Sequence, residues 1–595
     1  MIRLSSISNF GLLSISSLGL VLALGACGSS TPTPPPGGTA GASPGAGGAS
    51  GGNPGNPGAG APGPSAGGGP VPTAGTGSGG APDGTAGAGV GGANPGGAGA
   101  AGNSPAAGAG GAPITVNLPP VITSSCSSGT CSGGAGMTFT TDGTVTDSTA
   151  AAIVTVADTV IVPKWDGFGA AFNEIGWNVL TTPDMQNAAI KLLFSATDGA
   201  NFAWGRIPMG ASDYATSRYT PEDNAGADPA PNSSESTRPA KDTGLANFSL
   251  SRDMTKLIPF IKAAQAVKSD IHFWASPWTP PIWMKTGYAG KTGTAATKPS
   301  YYDGGSMSSD AAILTAYAQY YSKFVTGYKD QGINIELVSP QNEPGYEQNY
   351  PSCLWDKATY TSWVGTYLGP AMKTLGVRVM LGTLSNNGDG GRKDTDISSA
   401  VLADATAKGM VSVVGVQWGV LDAVVGGTTF SGLPIWATEH RCGNYPWMTD
   451  SYNKTQAPND LAYGVESWGY IRDAITKGKV TSYSAWNMVL DKSGLGNDTT
   501  RDWKQDALLV ADGGKVTPTA AYYVFRHFSQ YVAPNAAVLT ATGGDAVAFK
   551  NPDGSYVVVM YNSGAANPNY VVAVGGKKVQ FAMPAAGWAT VKVKP

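Results

Sequence analysis

The sequence predicts an α/β protein: a (β/α)8 barrel with an attached β-sandwich side domain, preceded by a Gly/Ala/Pro-rich linker that stays disordered. Three observations carry that expectation. Short apolar strands ending in small or polar residues alternate with helix-like stretches through the middle of the chain. The C-terminal tail switches to alternating apolar residues around an Asp-Gly turn, which is a hairpin signal. Composition is also uneven: all 15 Trp lie at or beyond Trp165, while nearly half of the 84 Gly crowd into the first quarter.

Taken in order, residues 1–27 read as an export signal. Arg3 precedes a mostly apolar stretch from Phe10 to Ala26, too short for a transmembrane helix. It ends in Leu24-Gly25-Ala26-Cys27, which resembles the bacterial lipobox and makes Cys27 the expected lipidated N-terminus. The chain is therefore expected to be exported, either anchored to the cell envelope (the outer membrane) with the membrane reached only through the lipid on Cys27, or secreted, in a compartment that permits disulfides. Residues 28–115 are almost entirely Gly, Ala, Pro, Ser and Thr, and hold too little apolar surface to offset the entropy of ordering. They read as a spacer, and the hydrolase-like and dinucleotide-like glycine patterns inside them lack flanking strands and helices. The run "CSSGTC" is expected to close a small Cys126–Cys131 disulfide loop.

Residues 136–164 supply strands to the sandwich, 165–520 the barrel, and 521–595 the rest of the sandwich. Barrel strands are read at "WDGFGAA", "FAWGRIPMG", "IHFWASPW", "IELVSPQNE", "RVMLGTLSN", "VGVQWG", "PIWATEH" and "TSYSAWN". Between them, "AAILTAYAQYYSKFVTGYKDQG" and "DLAYGVESWGYIRDAITKG" repeat apolar residues at helical spacing. The tail segments "AVAFKNPDGSYVVVMYNS", "YVVAVGGKKVQFAM" and "WATVKVKP", joined by "MTFTTDG" and "AAIVTVADTVIV", read as sandwich strands.

The charge balance is −3 with only 13% charged residues, which argues against a nucleic-acid partner. The three His (His272, His440, His527) are scattered without ligand spacing, so no metal site is expected, and the chain reads as a monomer. Two acids stand out. Glu343 ends strand four and Glu439 ends strand seven, nearly opposite each other across an eight-stranded barrel, with their side chains free to converge at its mouth. Two carboxyls about 5 Å apart suit a retaining glycosidase. Asn342 beside Glu343 is placed to bond a sugar hydroxyl. Asp213 is able to accept from two sugar hydroxyls, and Trp278 and Trp486 offer flat apolar faces for sugar C–H groups or, alternatively, simple core packing. Arg206 either keeps an acid ionised or forms a structural ion pair.

The motifs "GFGAAFNE", "RIPMGASDY", "SPWTPPIWMK", "SPQNEP", "ATEHRCG", "WNMVLD" and "YYVFRHFSQYV" together resemble glycoside hydrolase family 30, over about residues 160 to 595. The resemblance is closest to its glucosylceramidase and β-1,6-glucanase branches. It implies retention of configuration, no cofactor, a β-linked carbohydrate or glycoconjugate substrate, Glu343 as acid/base and Glu439 as nucleophile. It also places Asp213, Trp278, Asn342 and Trp486 in the terminal sugar subsite. Where glucosylceramidase-like members carry His-Trp-Tyr at strand six, this chain has Gln417-Trp418-Gly419. Alternatives are an endo-β-1,6-galactanase, a xylan-active enzyme, or a non-catalytic carbohydrate-binding surface lipoprotein. Because Cys353 and Cys442 follow strands four and seven, a Cys353–Cys442 disulfide is expected to pin those two loops together.

Overall fold

The computed structural model describes residues 121–126, 137–223, 240–286, 301–385, 388, 391–442, 461–497 and 504–595. Cys27, the linker 28–115 and Cys131, the expected partner of Cys126, lie outside the described residues. Among the described residues, no helix is long and apolar enough to cross a membrane.

Eight strands close into a parallel barrel in chain order: β1 (Gly167–Ala171), β2 (Trp204–Pro208), β3 (His272–Ser276), β4 (Ile335–Val338), β5 (Arg378–Leu384), β6 (Val411–Gln417), β7 (Ile435–Glu439) and β8 (Ser482–Asn487). Nearly every strand residue is buried, as a sheet covered on both faces requires. Trp204, Trp274, Leu337, Met380, Val413 and Trp436 pack as one cluster inside the barrel, with Trp204 meeting Trp436 edge-on at 4.8 Å. Such bulk demands small neighbours. A Cβ on Gly415 would lie 2.3 Å from Met380 Sδ, so β6 has room for no side chain there.

The helices obey the same logic. Asp310 caps Ala311–Asp330 by accepting from Ala312 N at 2.8 Å and Ile313 N at 3.3 Å. Tyr317, Tyr321, Phe324 and Tyr328 recur at helical spacing on its buried face. The second expected helix forms as Leu461–Thr476.

A ten-stranded, mostly antiparallel sheet makes the side domain. Its strands come from both ends of the described chain: Val121–Cys126, Met137–Gly143, Thr146–Asp147 and Val154–Val162, then six strands from Ala537–Thr542 to Gly587–Val593. The barrel is thus inserted within one sheet. The Asp-Gly turn does form a hairpin: Lys550 pairs with Tyr556, Ser555 N donates to Asp553 Oδ1, and Gly554 takes a left-handed φ of 79°. Helix Ala520–Ser529 fastens the two parts. Its His527 bonds Ser124 Oγ at 2.7 Å and Thr590 Oγ1 at 2.8 Å, both on sandwich strands, while Tyr522 OH donates to Leu192 O on the barrel side.

One expectation fails here. Cys353 and Cys442 are free buried thiols, not a disulfide. Cys353 packs into the main core with Trp355 and Trp363, whereas Cys442 belongs to a separate cluster with Trp278, Tyr350 and Trp486. The Cys353 thiol donates to Leu354 O at 3.7 Å, and burial pushes it up to about 12. The separation of the loops is set by packing.

Candidate active site

At the C-terminal mouth of the barrel, β2 presents Arg206 from the layer above Trp204, two residues along the same strand face. The guanidinium is buried and spends its donors on three neighbouring elements. Nη1 donates to Glu439 Oε2 at 2.5 Å, Nη2 to Asn342 Oδ1 at 2.6 Å, and Nε and Nη2 to Ser276 Oγ at 3.1 and 3.0 Å. Three indoles surround it, with ring centroids 4.3 Å (Trp278), 4.9 Å (Trp274) and 5.1 Å (Trp486) from Arg206 Cζ. Between the two alternatives for Arg206, the geometry is an ion pair with Glu439 itself.

Glu343 reaches the mouth by a different route. Regular pairing of β4 stops at Val338; Ser339 N still donates to Ala275 O, and Pro340 then ends the ladder. Glu343 therefore lies in the turn beyond β4, with a left-handed φ of 46°, rare for a residue with a side chain. Its N–H donates to Thr383 O on β5 at 3.0 Å. Thr383 Oγ1 donates to Asn342 Oδ1 at 2.8 Å, so Asn342 is fixed from two sides.

The acids differ electrostatically. Burial, then the charge of Glu439, pushes Glu343 up to about 7, against weaker opposing effects of Gln417, Ser385 and Arg206. Burial also raises Glu439, but the charge and hydrogen bond of Arg206 pull it back toward the ionised form. Asp213, just past β2, is raised by burial and by the Glu439 charge, and its Oδ1 has no hydrogen-bond partner. Trp278 and Trp486 stack at 5.3 Å and pack with Tyr214, Tyr350 and Cys442 over the mouth; Trp486 Nε1 is left without an acceptor. Arg206, Asp213, Trp278, Asn342, Glu343, Glu439 and Trp486 thus share one site.

Three neighbours of these side chains are given no place in the site by the sequence, although Gln417 is noted there as a departure from the family pattern. Ser276 receives Arg206, Thr383 holds Asn342, and Gln417 ends β6 in register with Glu439. Gln417 is wholly buried, and its Nε2 lies near Glu343 without a hydrogen bond of normal geometry. All three stand at strand ends, the same signal that singled out the two acids. Among the described residues, no group of three or more His, Cys, Asp or Glu is arranged to hold a metal ion.

The comparisons with known proteins follow this architecture. Residues 165–532 match the glycosyl hydrolase family 30 TIM-barrel domain, and residues 535–591 match that family's β-sandwich domain. The chain belongs to glycosyl hydrolase family 30. It is 28% identical over 447 residues to a putative glucosylceramidase 4 of Caenorhabditis elegans, covering 70% of this chain and 78% of that protein. It is 26% identical to the endo-1,6-β-D-glucanase neg1 of Aspergillus fumigatus, covering 67% and 78%. A solved endo-β1,6-glucanase shares the fold at a TM-score of 0.62 and 22% identity, over 80% of this chain and 99% of that one. Family membership makes the protein an O-glycosyl hydrolase with a barrel and sandwich domain.

Proposed function

We propose that the protein is a retaining hydrolase of β-glucosidic bonds, glucosylceramidase-like or β-1,6-glucanase-like, with Glu439 as nucleophile and Glu343 as acid/base. The observation that carries this reading is the unequal treatment of two buried acids at one mouth. Glu439 is paired with Arg206 at 2.5 Å, while Glu343 has no cation of its own and rises to about 7. An ionised carboxylate beside a protonated one is what double displacement needs. Glu439 attacks the anomeric carbon while Glu343 gives its proton to the departing glycosidic oxygen. Glu343, now a carboxylate, then takes a proton from the water that releases the sugar from Glu439.

The unpartnered Asp213 Oδ1 and Trp486 Nε1 supply an acceptor and a donor for hydroxyls of the bound sugar, and Asn342 lies beside the reacting groups. Relatives named glucosylceramidase and endo-1,6-β-glucanase support the glucoside reading. We further propose export, with the lipid on Cys27 holding a monomeric enzyme at the cell envelope on the spacer of residues 28–115. The test is a substrate panel: aryl β-glucoside, xyloside, fucoside and galactoside, with β-1,6-glucan, β-1,6-galactan, xylan and glucosylceramide. Turnover of the aryl β-glucoside together with β-1,6-glucan or glucosylceramide is expected. Turnover of xylan or β-1,6-galactan alone, or binding without turnover, contradicts the reading.

A further inference from the structure

Asp394 is wholly buried, and nothing in the reaction described above uses it. One oxygen, Oδ1, accepts from Gly345 N at 2.5 Å, two residues past Glu343. The other, Oδ2, accepts from Ser385 N at 2.5 Å and Ser385 Oγ at 3.3 Å, just past the end of β5. One carboxyl therefore joins the turn carrying Glu343 to the exit of β5. The same two segments are joined a second time, by Glu343 N donating to Thr383 O.

The steric evidence agrees. A Cβ built on Gly345 would lie 2.6 Å from Asp394 Oδ1 and 3.0 Å from Asp394 N, so this residue has no side chain because the carboxyl occupies its place. Between the two anchors lies Glu343 at φ 46°, a conformation that costs about 1 kcal/mol or more for a residue with a Cβ and persists only where its surroundings enforce it. Ser385, oriented by Asp394, also stands beside the Glu343 carboxyl and helps to lower its proton affinity. Thus the turn that carries Glu343 and one of the hydroxyls beside its carboxyl are both held by one acid.

We infer that Asp394 is the positioning residue for the acid/base: it clamps Gly345 and Ser385 so that the Glu343 carboxyl is held over the leaving oxygen. This rests on the proposed role of Glu343. It predicts a signature that general loosening of the fold does not produce. Misplacing the proton donor should slow substrates whose leaving group needs a proton and spare those whose leaving group departs unaided.

The experiment measures kcat/KM, which reports the step that forms the covalent intermediate, for a series of aryl β-glucosides, from phenyl to 2,4-dinitrophenyl, on Asp394→Asn, Gly345→Ala and Glu343→Gln, with Asp310→Ala as a variant remote from the site. Asp394→Asn and Gly345→Ala should each lose roughly tenfold or more on the phenyl glucoside and less than about threefold on the dinitrophenyl glucoside. Glu343→Gln should show the same split more widely, and Asp310→Ala should show none. If Asp394→Asn does not fold, Gly345→Ala decides, since it retains the acid and only displaces it. Equal losses across the series, or none, in these variants while Glu343→Gln shows the split would overturn the inference and leave the role of Glu343 standing. A Glu343→Gln variant without the split would overturn that role and this inference with it.

Discussion

Arg206 discriminates between the two acids because it is within hydrogen-bond reach of only one of them. Its fork bonds Glu439, Asn342 and Ser276 at once, a geometry that one ammonium on a flexible stem cannot reproduce. Arg206→Lys should therefore cut kcat on the order of 100-fold, through misoriented Glu439 and Asn342, while leaving the protein folded; steady-state kinetics on an aryl β-glucoside checks this. The pH profile is a separate handle. On the proposed role, Glu343 acts in its protonated form, and burial pushes it up to about 7, so kcat/KM should fall as pH rises through that value. In Glu343→Gln, assayed on an activated substrate, that basic limb should vanish; a limb that persists unchanged assigns it to another group. Glu343 and Glu439 were legible in the sequence because each follows an apolar strand in a counted series. The Cys353–Cys442 pairing was misread because strand order says which loops meet at the mouth but not which way a side chain on them turns. Cys353 turns into the core beside Trp355.

The connections beyond the strands build the site, and they are held by buried cations. Lys285 Nζ, after β3, donates to Tyr301 O at 3.1 Å, Tyr302 O at 2.9 Å and Ser352 O at 3.0 Å, and to Thr279 Oγ1 at 3.1 Å. Arg218, after β2, pairs with Asp303 at 2.8 Å and donates to Asn349 O at 2.9 Å. Together they fasten the segments following β2, β3 and β4. Lys285→Met should destabilise by roughly 3 kcal/mol, because several buried carbonyls lose a charged donor. Denaturant unfolding measures it, and a loss well under about 1 kcal/mol would contradict this role. Helices and strands could be read from their periods of 3.6 and 2, as Ala311–Asp330 and Lys577–Met583 show. These connections could not, since carbonyl groups converging on one ammonium come from segments far apart in sequence and leave no local pattern.

For the whole molecule, burial of ionisable groups sets how stability responds to pH. Asp223 and Asp253 rise to about 6, Glu343 and Glu466 to about 7, and Glu222 to about 8, in each case chiefly through burial. A carboxyl whose folded pKa lies above its unfolded value favours the fold at low pH, and that contribution is lost as pH rises through the folded value. His440 and His527 oppose this: burial lowers both to about 3, so their contribution is present above the unfolded value of 6.5 and is lost as pH falls. The carboxyls outnumber the histidines, so Tm should be higher at about pH 5 than at about pH 8. Thermal unfolding at the two pH values checks it, and a higher Tm at the alkaline end would contradict the burial of these acids. On the proposed mechanism, the barrel holds Glu343 and Glu439 at one mouth in different protonation states. The most direct test of that claim is to trap the covalent intermediate with 2,4-dinitrophenyl 2-deoxy-2-fluoro-β-glucoside and locate the label by peptide mass spectrometry. The account predicts one sugar per chain, on Glu439; a label on Glu343 or on any other residue would contradict it.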